Sequence, residues 1–428
     1  MRGDSWPAPT PATPVDAVVR VPGSKSLTNR QLVLAALADG RSRLRRPLRS
    51  RDTLLMAAGL RALGVPITDD GDDWVVDGQP GTLHPRAPSV DVGNAGTVAR
   101  FLPPLAGLAE GSVSFDGDPR VRERPIGPLL TALRTLGIDL DDGGRGSLPV
   151  TVHGHGSVAG GEVTLDASTS SQLVSALLLA APRYERGVTV RHEGPPVPSA
   201  PHLRMTAAEL RAAGAEVDDA TPDVWRVAPG VLRPRDVDVE PDLSSAAPFL
   251  AAALVTGGRV TLAGWPAGTT QPGASLPELL ARCGATYTVD GDGLTVTGGD
   301  EIHGLEADLR DCPEAVPVLA AVAALADGPS RLTGIAHLRL QETDRLAALA
   351  AEINGLGGRV RDTADGLEIQ PAALHGGRWR TYHDHRIAMA GAVLGLRVSG
   401  VLVEDVATTG KTLPRFVDLW ARMLGAPH

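Results

Sequence analysis

The sequence predicts an α/β fold of two domains, each an inverse α/β barrel built from three βαβαββ repeats with buried parallel helices. The first observation is a period, because six alanine-rich apolar segments begin 70 to 74 residues apart. The second is that these segments are apolar nearly all the way round, as in the stretch LVSALLL at 173–179. Such helices are typical of the inside of a domain, so we expect the strands to surround them.

The first helix of each repeat is one of these apolar segments, which begin near Ser24, Gly96, Ser170, Ser244, Glu314 and His385. A glycine follows each helix, at Gly40, Gly111, Gly187, Gly257, Gly328 and Gly400. A short strand follows most of them, and a second helix then ends in a repeated phrase at 63–64, 136–137, 213–214, 283–284, 356–357 and 424–425. In five repeats this phrase leads into two strands paired around a turn.

The sixth repeat stops at 424–426 and lacks its strand pair. The stretch Val15–Val21 is a spare strand, and we expect it to complete the sixth repeat. The repeats then group three and three, with one domain at 22–241 and the other at 15–21 plus 242–428. The polar, proline-rich residues 1–14 predict a flexible tail and lack the layout of a signal peptide.

Composition excludes several classes of protein. A formal charge of -9 and a pI of about 5.7 give no electrostatic case for a nucleic-acid or membrane partner. The two cysteines, Cys283 and Cys312, are too few for a disulfide framework and lack metal-ligand spacing. So few cysteines fit a reducing compartment, and we therefore expect a cytoplasmic protein. We also expect that it needs no cofactor and that it is a monomer.

Only two lysines, Lys25 and Lys411, occur among the 41 basic residues. Arginine evidently serves wherever a general cation suffices, so the two lysines are candidates for chemistry that needs a compact ammonium able to release a proton. Both follow a glycine or a Gly-Ser pair near the start of a predicted helix. The alternative is that they are remnants of composition without a function.

The starts of the predicted helices carry cations and small donors. Parallel buried helices would bring their N-termini together on one face of each domain, and unsatisfied N–H groups there attract anions. Two such faces opposed across a hinge would form a deep anion-binding site. The motifs at these positions are GSKSLTNR at 23–30, GNAGT at 93–97, RERPI at 122–126, STSSQ at 168–172, QETDR at 341–345, DHR at 384–386 and TGK at 409–411. We expect Pro125 to occupy the first position of a helix and to leave Arg124 at the mouth of the site.

These motifs, in this order, resemble those of the enolpyruvyl transferases, most closely the branch that uses shikimate 3-phosphate as acceptor. The resemblance covers the chain from Gly23 to Pro414, and the family's fold agrees with the three-and-three grouping. It implies transfer of the enolpyruvyl group of phosphoenolpyruvate to the 5-hydroxyl of shikimate 3-phosphate, with release of phosphate. The partners are then these small molecules, whose combined charge of about -6 is matched by six cations.

The resemblance assigns the binding residues as follows. Phosphoenolpyruvate is held by Lys25, Gly96, Arg124, Gln172, Arg345, Arg386 and Lys411. Shikimate 3-phosphate is held by Lys25, Ser26, Arg30, Ser170, Ser171, Gln172, Ser199, Glu314, His337 and Gln341. Arg30 and Ser26 take its carboxylate, whereas Ser170, Ser171 and Ser199 take its phosphate. Gly96 matches the position where a side chain crowds glyphosate, which implies sensitivity to that inhibitor.

The implied chemistry needs a base for the 5-hydroxyl and an acid for the methylene carbon of phosphoenolpyruvate. Glu314 stands where relatives usually have an aspartate, and Glu342 and Lys25 are the candidates for proton delivery. The structural alternatives are a glutamate that favours a helix dipole at 314 and an i,i+3 ion pair between Glu342 and Arg345.

Three further positions depart from the family pattern. Gln341 replaces a frequent lysine, His337 a frequent asparagine and His202 a frequent tyrosine. The lost cation would weaken binding of shikimate 3-phosphate unless His337 or His202 is protonated in the complex. His383 and His385 have a spacing that suits a metal only on a strand, and no third ligand is evident, so we expect no metal there.

Three alternatives differ from this interpretation. A transferase acting on UDP-N-acetylglucosamine typically carries a cysteine on the loop at 116–120, where this chain has none. A terminal phosphate cyclase acting on RNA is disfavoured by the acidic pI and by the scarcity of tyrosine and phenylalanine. A non-catalytic paralogue that binds anions without turnover is motivated by Gln341 and Glu314, and phosphate release distinguishes it.

Overall fold

The computed structural model describes residues 5–425, which form two compact units. One unit is the continuous segment Gly23–Val239. The other comprises the described residues up to Pro22 together with those from Glu240 onward. Each unit has a large hydrophobic core of its own. None of the helices within 5–425 combines the length and the apolar character that crossing a membrane requires.

Two strands precede the continuous unit, β1 (Ser5–Pro7) and β2 (Asp16–Val19). The continuous unit then contains, in chain order, α1 (Lys25–Leu37), β3 (Arg41–Arg45), α2 (Arg51–Ala62), β4 (Ile67–Asp70), β5 (Asp73–Asp77), β6 (Ser89–Asp91), α3 (Gly96–Ala106), β7 (Glu110–Asp116), α4 (Pro119–Glu123), α5 (Gly127–Thr135), β8 (Asp139–Asp141), β9 (Val150–His155), β10 (Gly161–Leu165), α6 (Gln172–Ala180), β11 (Val188–His192), α7 (Ala200–Ala212), β12 (Val217–Asp218), β13 (Val224–Val227) and β14 (Asp236–Asp238).

The remaining elements belong to the other unit. They are α8 (Leu243–Thr256), β15 (Arg259–Ala263), α9 (Leu276–Arg282), β16 (Thr286–Asp290), β17 (Gly293–Thr297), β18 (Glu306–Asp308), α10 (Val316–Ala324), β19 (Ser330–Thr333), α11 (Arg345–Gly355), β20 (Arg359–Asp362), β21 (Leu367–Gln370), β22 (Gly377–Trp379), α12 (His385–Gly395), β23 (Val401–Glu404) and α13 (Phe416–Met423). Short 3-10 turns at Pro313–Ala315, Ala336–Leu340 and Val406–Lys411 carry candidate site residues.

The strands form six small sheets, one for each repeat. In the third repeat, β10 pairs parallel with β11 across the helix α6. The returning pair β12 and β13 then adds antiparallel, in the order β10-β11-β13-β12. The same pattern holds in the other four-stranded sheets and confirms the predicted βαβαββ repeat.

The first helix of each repeat is buried, as predicted. Every residue of α3, α10 and α12 is buried, because such a helix has no polar face to present to water. In the continuous unit α3 packs against α6 and α1, and in the other unit α10 packs against α12 and α8. The strands lie around these helices, so each unit has the inverse arrangement expected of its sequence.

The strands next to the two chain crossings, β2 and β14, each pair with a strand that is distant in sequence. Strand β14 pairs parallel with β3 in the sheet of the first repeat, and β2 pairs parallel with β15 in the sheet of the fourth. The prediction that Val15–Val21 completes the sixth repeat is therefore wrong. Because β14 serves the first repeat, the strand position ahead of α8 is open, and β2 fills it.

The N-terminal segment is part of the fold. Strand β1 pairs antiparallel with β23, and Trp6 meets Phe416 edge to face at a ring-centroid distance of 6.3 Å. Thr10 donates a 2.7 Å hydrogen bond from Oγ1 to the carbonyl oxygen of Gly395. The predicted flexible tail is therefore wrong for residues 5–10, while residues 1–4 lie outside the described part. The reason is that the sixth repeat lacks a strand pair, so β23 offers an open edge that β1 covers.

Candidate active site

In the continuous unit the N-terminal ends of four helices meet. Three side-chain contacts connect α1 to α3, α3 to α6 and α1 to α7: Asn29 Nδ2 to Thr97 Oγ1 at 2.7 Å, Arg100 Nη1 to Gln172 Oε1 at 3.3 Å, and Ser26 Oγ to His202 Nε2 at 3.4 Å. The arrangement brings Lys25, Ser26, Gly96, Gln172 and Ser199 to one end of the buried helices. Unpaired N–H groups at such helix ends favour anions.

Lys25 is the first residue of α1, whose N-cap is Ser24. Its Nζ lies 3.5 Å from Oδ2 of Asp52, and its side chain is 21% exposed whereas that of Asp52 is 3% exposed. Asp52 lies in the first turn of α2. The sequence analysis did not identify Asp52, which holds the lysine at the helix start.

Arg30 is almost fully buried, with 1% of its surface exposed. Its Nε donates to Thr206 Oγ1 at 2.8 Å, and its Nη2 donates to Ser175 Oγ at 3.3 Å and to the carbonyl oxygen of His202 at 3.2 Å. The guanidinium therefore joins α1 to α6 and α7. A ligand carboxylate would have to share these donors with the protein.

Gly96 begins α3 between two arginines and a glutamine. Arg124 donates from Nη1 to the carbonyl oxygen of Asn94 at 3.0 Å, and Arg100 donates from Nη1 to that of Gly96 at 3.1 Å. A Cβ atom added to Gly96 would lie 2.7 Å from Arg124 Nη2, 2.8 Å from Arg100 Nη1 and 3.0 Å from Gln172 Oε1. The absence of a side chain at this position lets both guanidinium groups approach the helix start.

The helix that follows Arg124 begins later than predicted. Arg124 ends the short helix α4 in an extended conformation, and α5 starts at Gly127, so Pro125 is not its first residue. A proline disfavours the helical conformation in the residue before it, which explains why the chain is extended at Arg124. Arg124 remains close to Gly96, although through a turn rather than a helix start.

The serines predicted to bind phosphate occupy the starts of α6 and α7. Ser170 accepts a 3.2 Å hydrogen bond at Oγ from the backbone N–H of Gln172, and Ser171 is the N-cap of α6. Ser199 is the N-cap of α7 and has left-handed backbone angles, φ 57° and ψ 44°. A serine in that conformation is strained, and such strain is concentrated at functional sites.

In the other unit, which contains the residues from Glu240 onward, a buried ion network joins the starts of α11 and α12 to the turn at Val406–Lys411. Lys411 Nζ donates to Glu342 Oε1 at 2.7 Å, and Arg345 Nη2 donates to Glu342 Oε2 at 2.9 Å. Arg345 also donates from Nε to Asp384 Oδ2 at 2.7 Å and from Nη2 to Oδ1 at 3.2 Å. The predicted i,i+3 pair of Glu342 and Arg345 is thus present as one contact of a larger network.

Charge balance within this network keeps the arginine ionised. Burial lowers the pKa of Arg345, but the carboxylates of Asp384 and Glu342 raise it by more, so that it lies above its ordinary value. Asp384 also caps α12, because its Oδ1 accepts a 2.8 Å hydrogen bond from the backbone N–H of Arg386. Arg386 in turn donates from Nη1 to the carbonyl oxygen of Ser244 at 2.6 Å, at the start of α8. Sequence reasoning missed the role of Asp384, although an aspartate just before a helix was the available signal.

Glu314, His337 and Gln341 lie at two further turns of this unit. Glu314 is within the turn at Pro313–Ala315. His337 is within the turn at Ala336–Leu340, and Gln341 is the residue that follows this turn. Burial lowers the pKa of His337 to about 4, although the charge of Glu314 partly opposes this. His337 is therefore neutral at neutral pH in this structure and does not replace the missing lysine charge. Its buried Nε2 has no hydrogen-bond partner among the described residues.

The two histidines around Asp384 lie in different environments. The side chain of His383 is 92% exposed, with Nδ1 3.0 Å from Oδ2 of Asp405, whereas that of His385 is 2% exposed. Burial and the charge of Arg386 hold the pKa of His385 well below its ordinary value. Within 5–425, one group of side chains has a geometry suited to a metal ion: the exposed Glu301, His303 and Asp327, whose ligand atoms lie within 4.8 Å of one another. None of the three belongs to the clusters described above.

Known proteins resemble this chain over nearly its whole length. Residues 9–420 match the family model described as EPSP synthase (3-phosphoshikimate 1-carboxyvinyltransferase). The 3-phosphoshikimate 1-carboxyvinyltransferase of Kocuria rhizophila is 54% identical over 99% of this chain and 97% of its own length, and that of Mycobacterium ulcerans is 52% identical over 98% of each. The solved structure of EPSP synthase from Acinetobacter baumannii superposes with a TM-score of 0.81 at 26% identity, over 99% of this chain and 98% of the other.

Proposed function

This chain belongs to the EPSP synthase family, and we propose that it transfers the enolpyruvyl group of phosphoenolpyruvate to the 5-hydroxyl of shikimate 3-phosphate, releasing phosphate. The single observation that carries the proposal is the buried network of Lys411, Glu342, Arg345 and Asp384. With Arg386 at the start of α12, three buried cations lie close to only two carboxylates, and such a cluster beside helix starts suits a small substrate with several negative charges.

Phosphoenolpyruvate is the ligand proposed for two sets of residues. In the continuous unit they are Lys25, Gly96, Arg124 and Gln172, and in the other unit Arg345, Arg386 and Lys411. The approach of Arg124 to Gly96 and the ion pairs of Arg345 and Lys411 support this, because each cation is held in place before a ligand arrives. Such preorganisation lowers the cost of ordering on binding.

Shikimate 3-phosphate is the ligand proposed for a second set. Its members are Lys25, Ser26, Arg30, Ser170, Ser171, Gln172, Ser199, Glu314, His337 and Gln341. The left-handed conformation of Ser199 and the helix-start positions of the serines support a phosphate site. The buried Nε2 of His337, which has no hydrogen-bond partner among the described residues, supports a polar contact with the acceptor.

The proposed reaction proceeds by addition and then elimination. Glu314 accepts the proton of the 5-hydroxyl, whose oxygen attacks C2 of phosphoenolpyruvate while Glu342 or Lys25 protonates the methylene carbon C3. The product is a tetrahedral intermediate. The bond from C2 to the phosphate oxygen then breaks, C3 returns a proton to the protein, and the enol ether and phosphate leave.

Glu342 is proposed to act in both steps because it lies between two cations. Its two carboxylate oxygens accept from Lys411 and Arg345. A substrate anion would compete for these donors, so binding would couple to the protonation of Glu342. Lys25, held by Asp52, is the second candidate, because a lysine ammonium can act as a proton donor whereas an arginine guanidinium stays charged.

The test is phosphate release by the purified full-length protein from phosphoenolpyruvate. It compares shikimate 3-phosphate with UDP-N-acetylglucosamine as acceptor. Release only with shikimate 3-phosphate supports the proposal and makes Glu314 and Gln341 tolerated variants of the family pattern. Release only with the nucleotide sugar, or no release with either from folded protein, overturns it.

We also propose that the enzyme acts as a monomer in the cytoplasm. Burial raises the pKa of the free Cys283 thiol to about 11 and that of Cys312 to about 12, so both are poor nucleophiles and poor candidates for disulfide exchange. Two free, unreactive thiols suit a reducing compartment and so support the cytoplasm. Sedimentation equilibrium tests the monomer, and a dimer at micromolar concentration contradicts it.

A further inference from the structure

A carboxylate outside the proposed reaction is buried beside the Asp384–Arg386 segment. Glu352 lies on α11, is 6% exposed and accepts two hydrogen bonds from the chain just before α12. Its Oε2 accepts from the backbone N–H of Arg380 at 2.8 Å, and its Oε1 accepts from the hydroxyl of Tyr382 at 2.5 Å. None of the roles proposed above uses this group.

The segment that Glu352 holds has an unusual backbone. Tyr382 and His383 are consecutive residues with left-handed φ angles of 54° and 57°, although neither is glycine. A left-handed conformation is unfavourable for such residues and persists only where the surroundings impose it. Directly after it comes Asp384, whose backbone N–H donates to the carbonyl oxygen of Thr381 at 2.9 Å.

One helix face holds this segment at two points. Arg345 and Glu352 are seven residues apart on α11, and two helical turns place them on the same side. Arg345 donates a hydrogen bond to Asp384 at the C-terminal end of the segment. Glu352 accepts hydrogen bonds from Arg380 and Tyr382 nearer its N-terminal end. The left-handed Tyr382 is itself bonded to Glu352, and the left-handed His383 lies between Tyr382 and Asp384.

We propose that Glu352 is a positioning residue that, through Arg380 and Tyr382, sets the place of Asp384 and thereby of Arg345 and Arg386. This inference rests on the function proposed above, since Arg345 and Arg386 are assigned there to phosphoenolpyruvate. Burial and the hydrogen bond to Glu352 raise the pKa of Tyr382 to about 12, so its hydroxyl remains a donor at neutral pH. Without Glu352, the strained turn relaxes, and the two arginines lose their spacing.

The test uses Glu352→Gln and Tyr382→Phe in the full-length enzyme. Gln places an NH2 group where one of the two donors now finds an oxygen, and Phe removes the hydroxyl alone. For each variant we expect the KM for phosphoenolpyruvate to rise about tenfold, with kcat changed less than about threefold and the KM for shikimate 3-phosphate unchanged. Tyr184→Phe is the matched control and should leave both KM values unchanged. Tyr184 is a buried tyrosine of the continuous unit, and its hydroxyl donates to the carbonyl oxygen of Pro104 in that same unit.

Amide hydrogen exchange supplies a readout that does not need turnover. Both variants should exchange faster at Asp384 and Arg386, whose N–H groups bond to Thr381 and to the Asp384 side chain, while α10 stays protected. Unchanged exchange there, or an equal rise in KM for both substrates, overturns the proposal. If the wild type releases no phosphate, the proposed function fails, and the exchange rates alone decide whether Glu352 positions this segment. If Glu352→Gln fails to fold, Tyr382→Phe still decides it.

Discussion

Lys25 and Asp52 form an ion pair in which Nζ lies 3.5 Å from Oδ2, and the carboxylate is the more deeply buried partner. The lysine starts α1, and the aspartate lies in the first turn of α2. A buried carboxylate with a cation at its edge holds that cation at a fixed place without enclosing it. The pair therefore explains how one of only two lysines stays available at a helix start.

We expect Lys25→Arg to fold normally and to lose turnover by about 100-fold or more. Arginine retains the charge beside Asp52, but its guanidinium is bulkier and does not release a proton. Steady-state phosphate release measures the loss, and urea unfolding measures stability. Arg41→Lys is the control, since Arg41 is 71% exposed and pairs with Asp77 on the surface. A near-normal rate for Lys25→Arg would contradict a chemical role for the lysine.

We expect Gly96→Ala to raise the KM for phosphoenolpyruvate about tenfold and to weaken inhibition by glyphosate further. The added Cβ would lie within 3.0 Å of Arg124 Nη2 and Arg100 Nη1, so the guanidinium groups must move while the backbone stays in place. Inhibition curves at fixed phosphoenolpyruvate measure the effect.

The control is Gly230→Ala, because an added Cβ there meets no heavy atom within 4 Å. Both KM and inhibition should match the wild type in that variant. Full wild-type activity in millimolar glyphosate would show that Gly96 does not form the expected inhibitor site.

We expect Glu314→Gln to lower kcat by about 100- to 1000-fold with the KM for phosphoenolpyruvate nearly unchanged, because an amide does not accept the hydroxyl proton. Glu314→Asp, which restores the residue usual in relatives, should keep most of the activity. Stopped-flow phosphate release separates chemistry from product release. The exposed Glu301→Gln serves as control in the same unit, and an unchanged kcat for Glu314→Gln would place the base elsewhere.

Local patterns predicted the repeats because each repeat carries its own signal. An apolar helix followed by a glycine is readable from consecutive residues, and six copies reinforce one another. The short strand β1 has no such signal, since its three residues include Pro7 and owe their conformation to the open edge of β23. The destination of β2 likewise depends on which sheet has a free position, and neighbouring residues do not encode that.

The candidate site was predictable for its cations and less so for the groups that orient them. Arg345 and Lys411 stand in recognisable motifs. Asp384 and Asp52 resemble ordinary residues of a helix start. The sequence offers a signal for the capping role of Asp384, but only the distances reveal that these two aspartates pair with cations. The neutral state of His337 also depends on burial by residues distant in sequence.

We expect Trp6→Ala to lower the free energy of unfolding by about 1 to 2 kcal/mol, because the indole packs on Phe416 and strand β1 covers the edge of β23. Urea denaturation at pH 7 measures the change. Ser5→Ala is the control in the same strand, since Ser5 is exposed and alanine keeps the backbone pairing. Equal stability of the two variants would mean that packing of the Trp6 indole on Phe416 adds nothing to the stability of the fold.

We expect His337 to make the protein less stable as the pH falls from about 6.5 to about 4. In the unfolded chain a histidine takes up a proton near its ordinary pKa of 6.5, whereas in the fold His337 does so only near 4. The unfolded state therefore binds more protons in this window, so stability present above pH 6.5 is lost as the pH drops, by up to about 3 kcal/mol.

Urea unfolding of wild type and His337→Asn at pH 7 and pH 4.5 measures this contribution as the difference between the two pH dependences. The variant should lose less stability on acidification than the wild type, because the asparagine takes up no proton in either state. His84→Asn should reproduce the wild-type loss, since His84 is 75% exposed. Parallel losses in wild type and His337→Asn would mean that burial does not lower the pKa of His337 and that this histidine takes up its proton near its ordinary pKa.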